Sequence, residues 1–502
     1  MILKTSAIIL LIALLSANPG QAASVLDFQT VDRLTYRCYN EQKWDSVILV
    51  GKQALRQDID YYYLRVRMGI SFFNRGQYYP SATHLEKARK FNSGDPFVTG
   101  YLYRAYLLTN RGDEAHSLWS SLSKEDSELL DPSGKKGGEF LTSAHIESGY
   151  TISSDADPDN LATLMGSDSI YGEQDLYGNN IYENLALNLR ITRGFSVSLA
   201  YNYLNFQKTK YIQYGRLEDH LVSITDTTWG KNYNYTFPWV IYDTSFRYNV
   251  RQHEAYINAT VALPWGLKII PAFHWINVSY NKINPAYRTD TVMDTAFYQS
   301  FNNYYGTFPF PRTIYSFEQT DTSFNNYLAS LRISKDWGIF NIALTGSLSK
   351  LNGKQQKQIG ASLTYYPLGN LDFYGTTTAT GFFQGKNKRL LLSQVLGAKI
   401  TPWMWAEGNF YYGDFTNANI FNGAIVYNNS DKIDYRAGAT LLFIVGKHIQ
   451  LSLIYQYFRK ESLQTYYIKS KDTSTGAIKE IPQTTYNPYN THSIIGGITW
   501  KL

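Results

Sequence analysis

The sequence predicts a multidomain α+β chain: an N-terminal all-α repeat solenoid followed by an antiparallel transmembrane β-barrel of about 14 strands. Three observations predict it. Up to about residue 132 the apolar pattern is helical and repeats along the chain. Beyond about residue 138 the period changes to 2. No apolar run after the first twenty residues is long enough for a membrane helix, whereas barrel strands need only alternate apolar residues.

Composition narrows the function classes. With 47 Lys and Arg against 41 Asp and Glu, the net charge of +6 is too mild for a dedicated nucleic-acid binder. A single cysteine rules out an intrachain disulfide and a Cys-based zinc site. Aromatics at 16% supply too much burial for a disordered chain.

Residues 1–23 read as a secretory signal peptide. Lys4 gives the basic n-region, Ala7 to Leu15 the apolar h-region, and Gly20-Gln21-Ala22-Ala23 a small-residue cleavage site.

Residues 25–132 form a repeating helical domain. Asn40-Glu41-Gln42-Lys43-Trp44 recurs as Asn74-Arg75-Gly76-Gln77-Tyr78 and again as Asn110-Arg111-Gly112-Asp113-Glu114. In the middle unit Gly69 allows close helix approach, Phe72 is an apolar anchor, and Ser81, Leu85 and Ala88 continue along the second helix. With a period near 34 residues, this region resembles the tetratricopeptide repeat family over about three units. The resemblance implies a groove that binds an extended peptide or another protein, with Tyr62, Arg65, Tyr101 and Arg104 as candidate groove residues.

Gly134 to Gly138 lie in a short linker (133–138), and residues 139–502 are the barrel. In the first complete hairpin Leu185, Leu187, Leu189 and Ile191 alternate with Asn184, Ala186, Asn188 and Arg190. The polar face is Ser, Thr, Asn and Gly rather than Lys and Glu, which suits a lumen better than bulk water. Six tight turns, such as Lys335-Asp336-Trp337-Gly338, alternate with longer connections around 154–179, 210–247, 282–322, 416–430 and 461–490 and two short ones near 351–355 and 384–387. Six inner turns and seven outer connections make 14 strands, with the short turns expected on the periplasmic side of a Gram-negative outer membrane. The helical domain and the C-terminus are then periplasmic, and the long loops lie at the cell surface. Ser493 to Leu502 resembles the signal read by barrel-assembly machinery, with Ile498, Trp500 and Leu502 in register, although Leu502 stands where Phe is usual.

Chemistry is sparse, and no enzyme is expected. The eight His are scattered without metal-ligand spacing, and no cofactor or metal is implied. Asp155-Ala156-Asp157-Pro158-Asp159 lacks the Gly and closing Glu of a calcium loop. Polar side chains expected to line the lumen are Arg190, Glu254, His274, Arg332, Lys399, Glu407 and Arg436, with Glu254–His274 and Lys399–Glu407 expected to pair across their hairpins.

In domain order and strand count the chain resembles the surface lipoprotein assembly modulator family and, more loosely, the exporters of cellulose and poly-N-acetylglucosamine. That resemblance implies export or surface presentation of a protein or lipoprotein cargo. The alternatives are an accessory or scaffold subunit of a larger outer-membrane complex, and polysaccharide export or binding.

Overall fold

The computed structural model describes residues 26–119, 140–154, 169–192, 194–217, 220–228, 230–236, 239–263, 266–294, 308–428, 430–471 and 478–502. Residues 1–23, read as a signal peptide, residues 133–138, read as a linker, and the Asp155 to Asp159 segment lie outside the described residues. The chain divides into two compact bodies, the first ending at Leu102.

Among the described residues the N-terminal part has six helices: α1 (Phe28–Asn40), α2 (Trp44–Arg56), α3 (Tyr62–Asn74), α4 (Tyr78–Phe91), α5 (Pro96–Leu107) and α6 (Gly112–Trp119). The first helix of each pair begins at Phe28, Tyr62 and Pro96, and the second at Trp44, Tyr78 and Gly112. The helices therefore repeat in step with the sequence. Asp27 caps α1 by accepting from the Thr30 amide at 2.8 Å. Val31, Val47, Leu64, Met68 and Phe72 form the core of the first body. Gly69 is required for the α3–α4 approach, since a Cβ there would stand 2.6 Å from Leu85 Cγ.

The α3–α4 contact also carries a pH dependence. Arg65 donates to Asp60 through Nε at 2.6 Å and Nη2 at 2.7 Å, and its Nη1 lies 3.1 Å from His84 Nδ1. The His84 ring stacks on Phe72 with centroids 5.2 Å apart. Burial, then the neighbouring Arg65 charge, push His84 down from 6.5 to about 3. The folded state thus keeps His84 neutral while the unfolded chain protonates it. Its contribution is complete above pH 6.5 and is lost as pH falls toward 3, by about 1.4 kcal/mol per pH unit. Helical melting of the detergent-solubilised chain, followed at 222 nm, should weaken between pH 6.5 and 4.5, and His84→Gln should flatten that slope. An unchanged slope in the variant would assign the effect elsewhere.

The second body holds a closed barrel of fourteen strands, in which each pairs with the next barrel strand along the chain and the last closes on the first. On one side stand β1 (Leu141–Ser153), β2 (Ser169–Thr192), β3 (Phe195–Leu217), β6 (Trp239–Leu263), β7 (Leu267–Asp294) and β8 (Phe308–Trp337). The ring continues through β9 (Phe340–Leu351), β10 (Lys354–Tyr365), β11 (Phe373–Gln384), β12 (Asn387–Thr401), β13 (Met404–Tyr412), β16 (Lys432–Val445), β17 (Ile449–Lys471) and β18 (Ile478–Lys501). Two small hairpins lie outside the ring, β4 (His220–Thr227) with β5 (Gly230–Thr236), and β14 (Asn419–Ile420) with β15 (Ile425–Val426). The fold class and the strand count are those the sequence predicts.

The outer wall carries an apolar belt that includes Leu185, Leu199, Ile257, Leu331, Leu344 (62% exposed), Ile359 (68%) and Ile494. Trp337, Trp403 and Trp500 mark its short-turn edge, and Tyr201, Tyr327, Tyr412 and Tyr455 its other edge. Such a surface is stable only against hydrocarbon, with aromatic rings at the two interfaces. Ile498, Trp500 and Leu502 are exposed on this wall.

The wall is uneven in height, and this corrects the reading of 210–247, 282–322 and 461–490 as loops. β9 and β10 have 12 residues each, whereas β7 has 28 and β8 has 30. Above the belt the outward face meets water instead of lipid, so alternation fades and segments such as Asn281-Lys282-Ile283-Asn284 look like loop in sequence, although Ile283 is buried. The tall hairpins also lean across the mouth. β6 and β7 pair only as far as Arg251↔Ser279. Beyond that, Tyr315 of β8 packs on Tyr214 of β3 at 4.4 Å, and Phe317 on Phe246 of β6 at 5.3 Å. The upper part of β17 pairs with β2 from Gln464↔Gln174 to Ile468↔Ser169, reaching past β18 and β1.

Candidate functional site: the lumen and the loop that closes it

The connection from β13 to β16 does not stay at the surface. It enters the lumen, turns through the β14–β15 hairpin and returns. Asn419 anchors the near side: its backbone N donates to Gln358 Oε1 at 2.8 Å, its Nδ2 to Ser347 Oγ at 3.0 Å, and its carbonyl accepts from Gln358 Nε2 at 2.9 Å. The tip reaches the opposite wall. There Ser330 Oγ donates to the Asn422 carbonyl at 2.7 Å, Asn422 Nδ2 donates to the Ile270 carbonyl at 3.0 Å, and His274 Nδ1 meets the Gly423 carbonyl at 2.7 Å. Tyr256 of β6, seven places from β13 around the ring, donates to the Asn422 carbonyl at 3.3 Å. The loop therefore spans the full width of the barrel.

Apolar contacts hold both ends. Phe415 and Ala418 pack with Phe382, Leu391, Tyr411, Ile433 and Phe458. Val426 packs against Val250, Ile276, Val278 and Leu351. Gly423 is needed at the tip, because its φ of +82° disfavours other residues and a Cβ would strike the Leu328 side chain. Beneath the loop, Ser347, Thr364, Thr376, Thr378 and Arg332 line a cavity of about 380 Å³ roofed by Asn419 to Asn422.

At the short-turn end, α6 lies against the barrel within the second body. Arg190 Nη1 donates to His116 Nε2 at 2.7 Å, Arg111 Nε is 3.5 Å from Asp336 Oδ2, and Lys268 Nζ is 3.5 Å from Glu114 Oε2. Burial, reinforced by the Arg190 charge, holds His116 below its usual range.

The structure brings some of the expected lumen residues together. His274 is fully buried, and its Nε2 is 3.3 Å from Glu254 Oε2. Glu254 also accepts from Asn202 Nδ2 at 2.8 Å. Arg436 is buried between Tyr411 and Phe458, and its Nη1 donates to Tyr427 OH at 2.7 Å. Lys399 and Glu407 do not meet. Lys399 Nζ instead lies 3.6 Å from Asp372 and over the Trp405 ring, while Glu407 accepts from Tyr374 OH. Trp405 is the register partner of Lys399, and Glu407 pairs with Gly397, two residues along the strand.

In the helical part, Tyr62 OH donates to Asp95, Arg65 is held by Asp60, and Tyr101 packs edge-on against Phe73 and Phe97. Arg104 is exposed. Sequence reasoning missed the inward loop and its apolar seats. Their signal was broken alternation: Leu390-Leu391-Leu392 and Phe382-Phe383 put apolar side chains on both faces of one strand.

No family model matches the chain, and no curated protein matches it. Solved structures do. A FadL homologue of Pseudomonas aeruginosa is 8% identical, covering 72% of this chain and 90% of its own, with a TM-score of 0.37. Omp33, an outer-membrane protein of Acinetobacter baumannii, is 6% identical over 72% of this chain and 99% of its own, at 0.31. The translocator domain of the autotransporter NalP from Neisseria meningitidis is 8% identical over 79% of this chain and 100% of its own, at 0.28.

Proposed function

We propose that this chain is an outer-membrane barrel that works by docking a protein or lipoprotein through periplasmic helical repeats of tetratricopeptide type, for export or surface presentation, with its own lumen shut at rest. The observation that carries this reading is the loop seated across the lumen. A barrel filled by its own hydrogen-bonded loop is a poor open pore, and the repeating helices are the part of the chain with an unassigned surface. The same closure favours a second reading, a non-transporting subunit of a larger outer-membrane complex. In both, the short turns, the helices and the C-terminus face the periplasm, the tall hairpins face the exterior, and barrel-assembly machinery inserts the chain. Neither reading needs a catalytic residue or cofactor.

Deletion of residues 26–102 tests the proposal. The remaining barrel should still migrate heat-modifiably in detergent gels, yet lose a stoichiometric partner that co-purifies with the full chain in mild detergent. A lipoprotein partner supports presentation, and a second barrel supports the scaffold reading. Retention of the complex without the repeats would overturn both, as would sugar flux at porin rates through the intact chain in liposomes.

A further inference from the structure

On the low side of the wall the outward face ends in lysines. Lys350, Lys354, Lys357, Lys386 and Lys388 are all exposed. Between Trp337 and Glu407 the only carboxylate is Asp372, and it lies at a short turn, beside Lys399. Among the described residues no carboxylate pairs with any of the five.

Register fixes their level. Lys357 is directly across from Leu348 on one side and Phe383 on the other, and Phe383 is across from Lys388. Two residues toward the belt from Lys350, Lys357 and Lys388 stand Leu348, Ile359 and Leu390, each exposed by 60% or more. Two residues of strand rise about 7 Å. The ammonium groups therefore ring the edge of the hydrocarbon, at headgroup height.

Beside them is a groove of about 1030 Å³. Phe273, Tyr327 and Leu348 line it together with Lys350, Lys354 and Lys357. Ala329 makes the dent, because it stands in register between Phe273 and Leu348.

An apolar floor under an uncompensated cationic rim fits an amphiphile with several acyl chains and more than one negative charge on its head. We propose that this face binds a phosphorylated, multiply acylated glycolipid of the outer leaflet, its phosphates on Lys350, Lys357 and Lys388 and its chains along the groove. The proposal rests on the outer-membrane reading above. It deepens that reading by giving the low wall a lipid partner, while the tall wall rises clear of the membrane.

The test uses the full detergent-purified chain and native mass spectrometry. The probes are diphosphorylated lipid A, the same lipid with its phosphates removed, and inorganic pyrophosphate as competitor. Wild type should prefer the phosphorylated lipid, and the triple variant Lys350→Gln, Lys357→Gln, Lys388→Gln should weaken its binding by about a hundredfold, roughly fivefold per lysine. Lys447→Gln, at a short turn, should change nothing. Heat-modifiable migration of the triple variant separates lost binding from lost fold. Equal affinity for both lipids, or full binding by the folded triple variant, would overturn the proposal. Competition by pyrophosphate at the lipid's own concentration would reassign the face to free phosphate. If wild type fails to enter detergent micelles at all, the membrane reading falls first.

Discussion

Replacing residues 414–428 by a short Gly-Ser turn should convert a closed barrel into a conducting one. Single-channel current across a planar bilayer should rise on the order of tenfold over wild type, because a lumen bounded by fourteen strands is wide enough for water once nothing fills it. The loop is held at both ends, so partial release needs two cuts. Asn419→Ala removes the side-chain Nδ2 bonds to Ser347 and Gln358 while the two backbone bonds to Gln358 stay, and Gly423→Val forces the tip off Leu328. Each alone should give flickering openings, and the pair should approach the deletion. If the deletion leaves conductance at the wild-type level, the seal lies instead at the rims, in the leaning hairpins or in α6.

A single charge in the belt should have the second large effect. Leu344→Arg sets a guanidinium on a 62%-exposed outward position halfway along β9, and should cost about 2–4 kcal/mol when unfolding from lipid vesicles is titrated with urea. Thr378→Arg sends the same group toward the cavity beneath the loop, where water and hydroxyls can solvate it, and should cost far less. Equal costs at the two positions would mean that the wall's two faces do not meet different solvents.

These elements differ in how far the sequence foretold them. The helical repeat was legible because Asn40, Asn74 and Asn110 mark the same turn three times. The barrel was legible because lipid and lumen impose a strict period of 2 on residues such as those from Asn184 to Arg190. Hairpin geometry was enough to bring Glu254 near His274, which stands two residues along the strand from Ile276, the register partner of Glu254. It was not enough for Lys399 and Glu407, because Asp372 and Tyr374 from the neighbouring hairpin reach them first. The inward loop left no local trace: Asn417, Asn419 and Asn422 have the composition of a surface turn, and only the Gln, Ser and His residues waiting on distant strands give them a buried place.

Closure of the ring joins β1 to β18, with Ser143 opposite Lys501 and His145 hydrogen-bonded to Thr499 at 2.7 Å, 354 residues apart along the chain. Contacts so distant cannot form early, since loop-closure entropy opposes them until the strands between are paired. Assembly must then pass through an open, curling sheet with two free edges. That interval is the time for the β13–β16 connection to find Gln358 on one side and His274 on the other, before the wall shuts around it. Variants that slow the loop's seating should therefore accumulate as open-edged intermediates, exposed to proteases during biogenesis even where the finished barrel resists them.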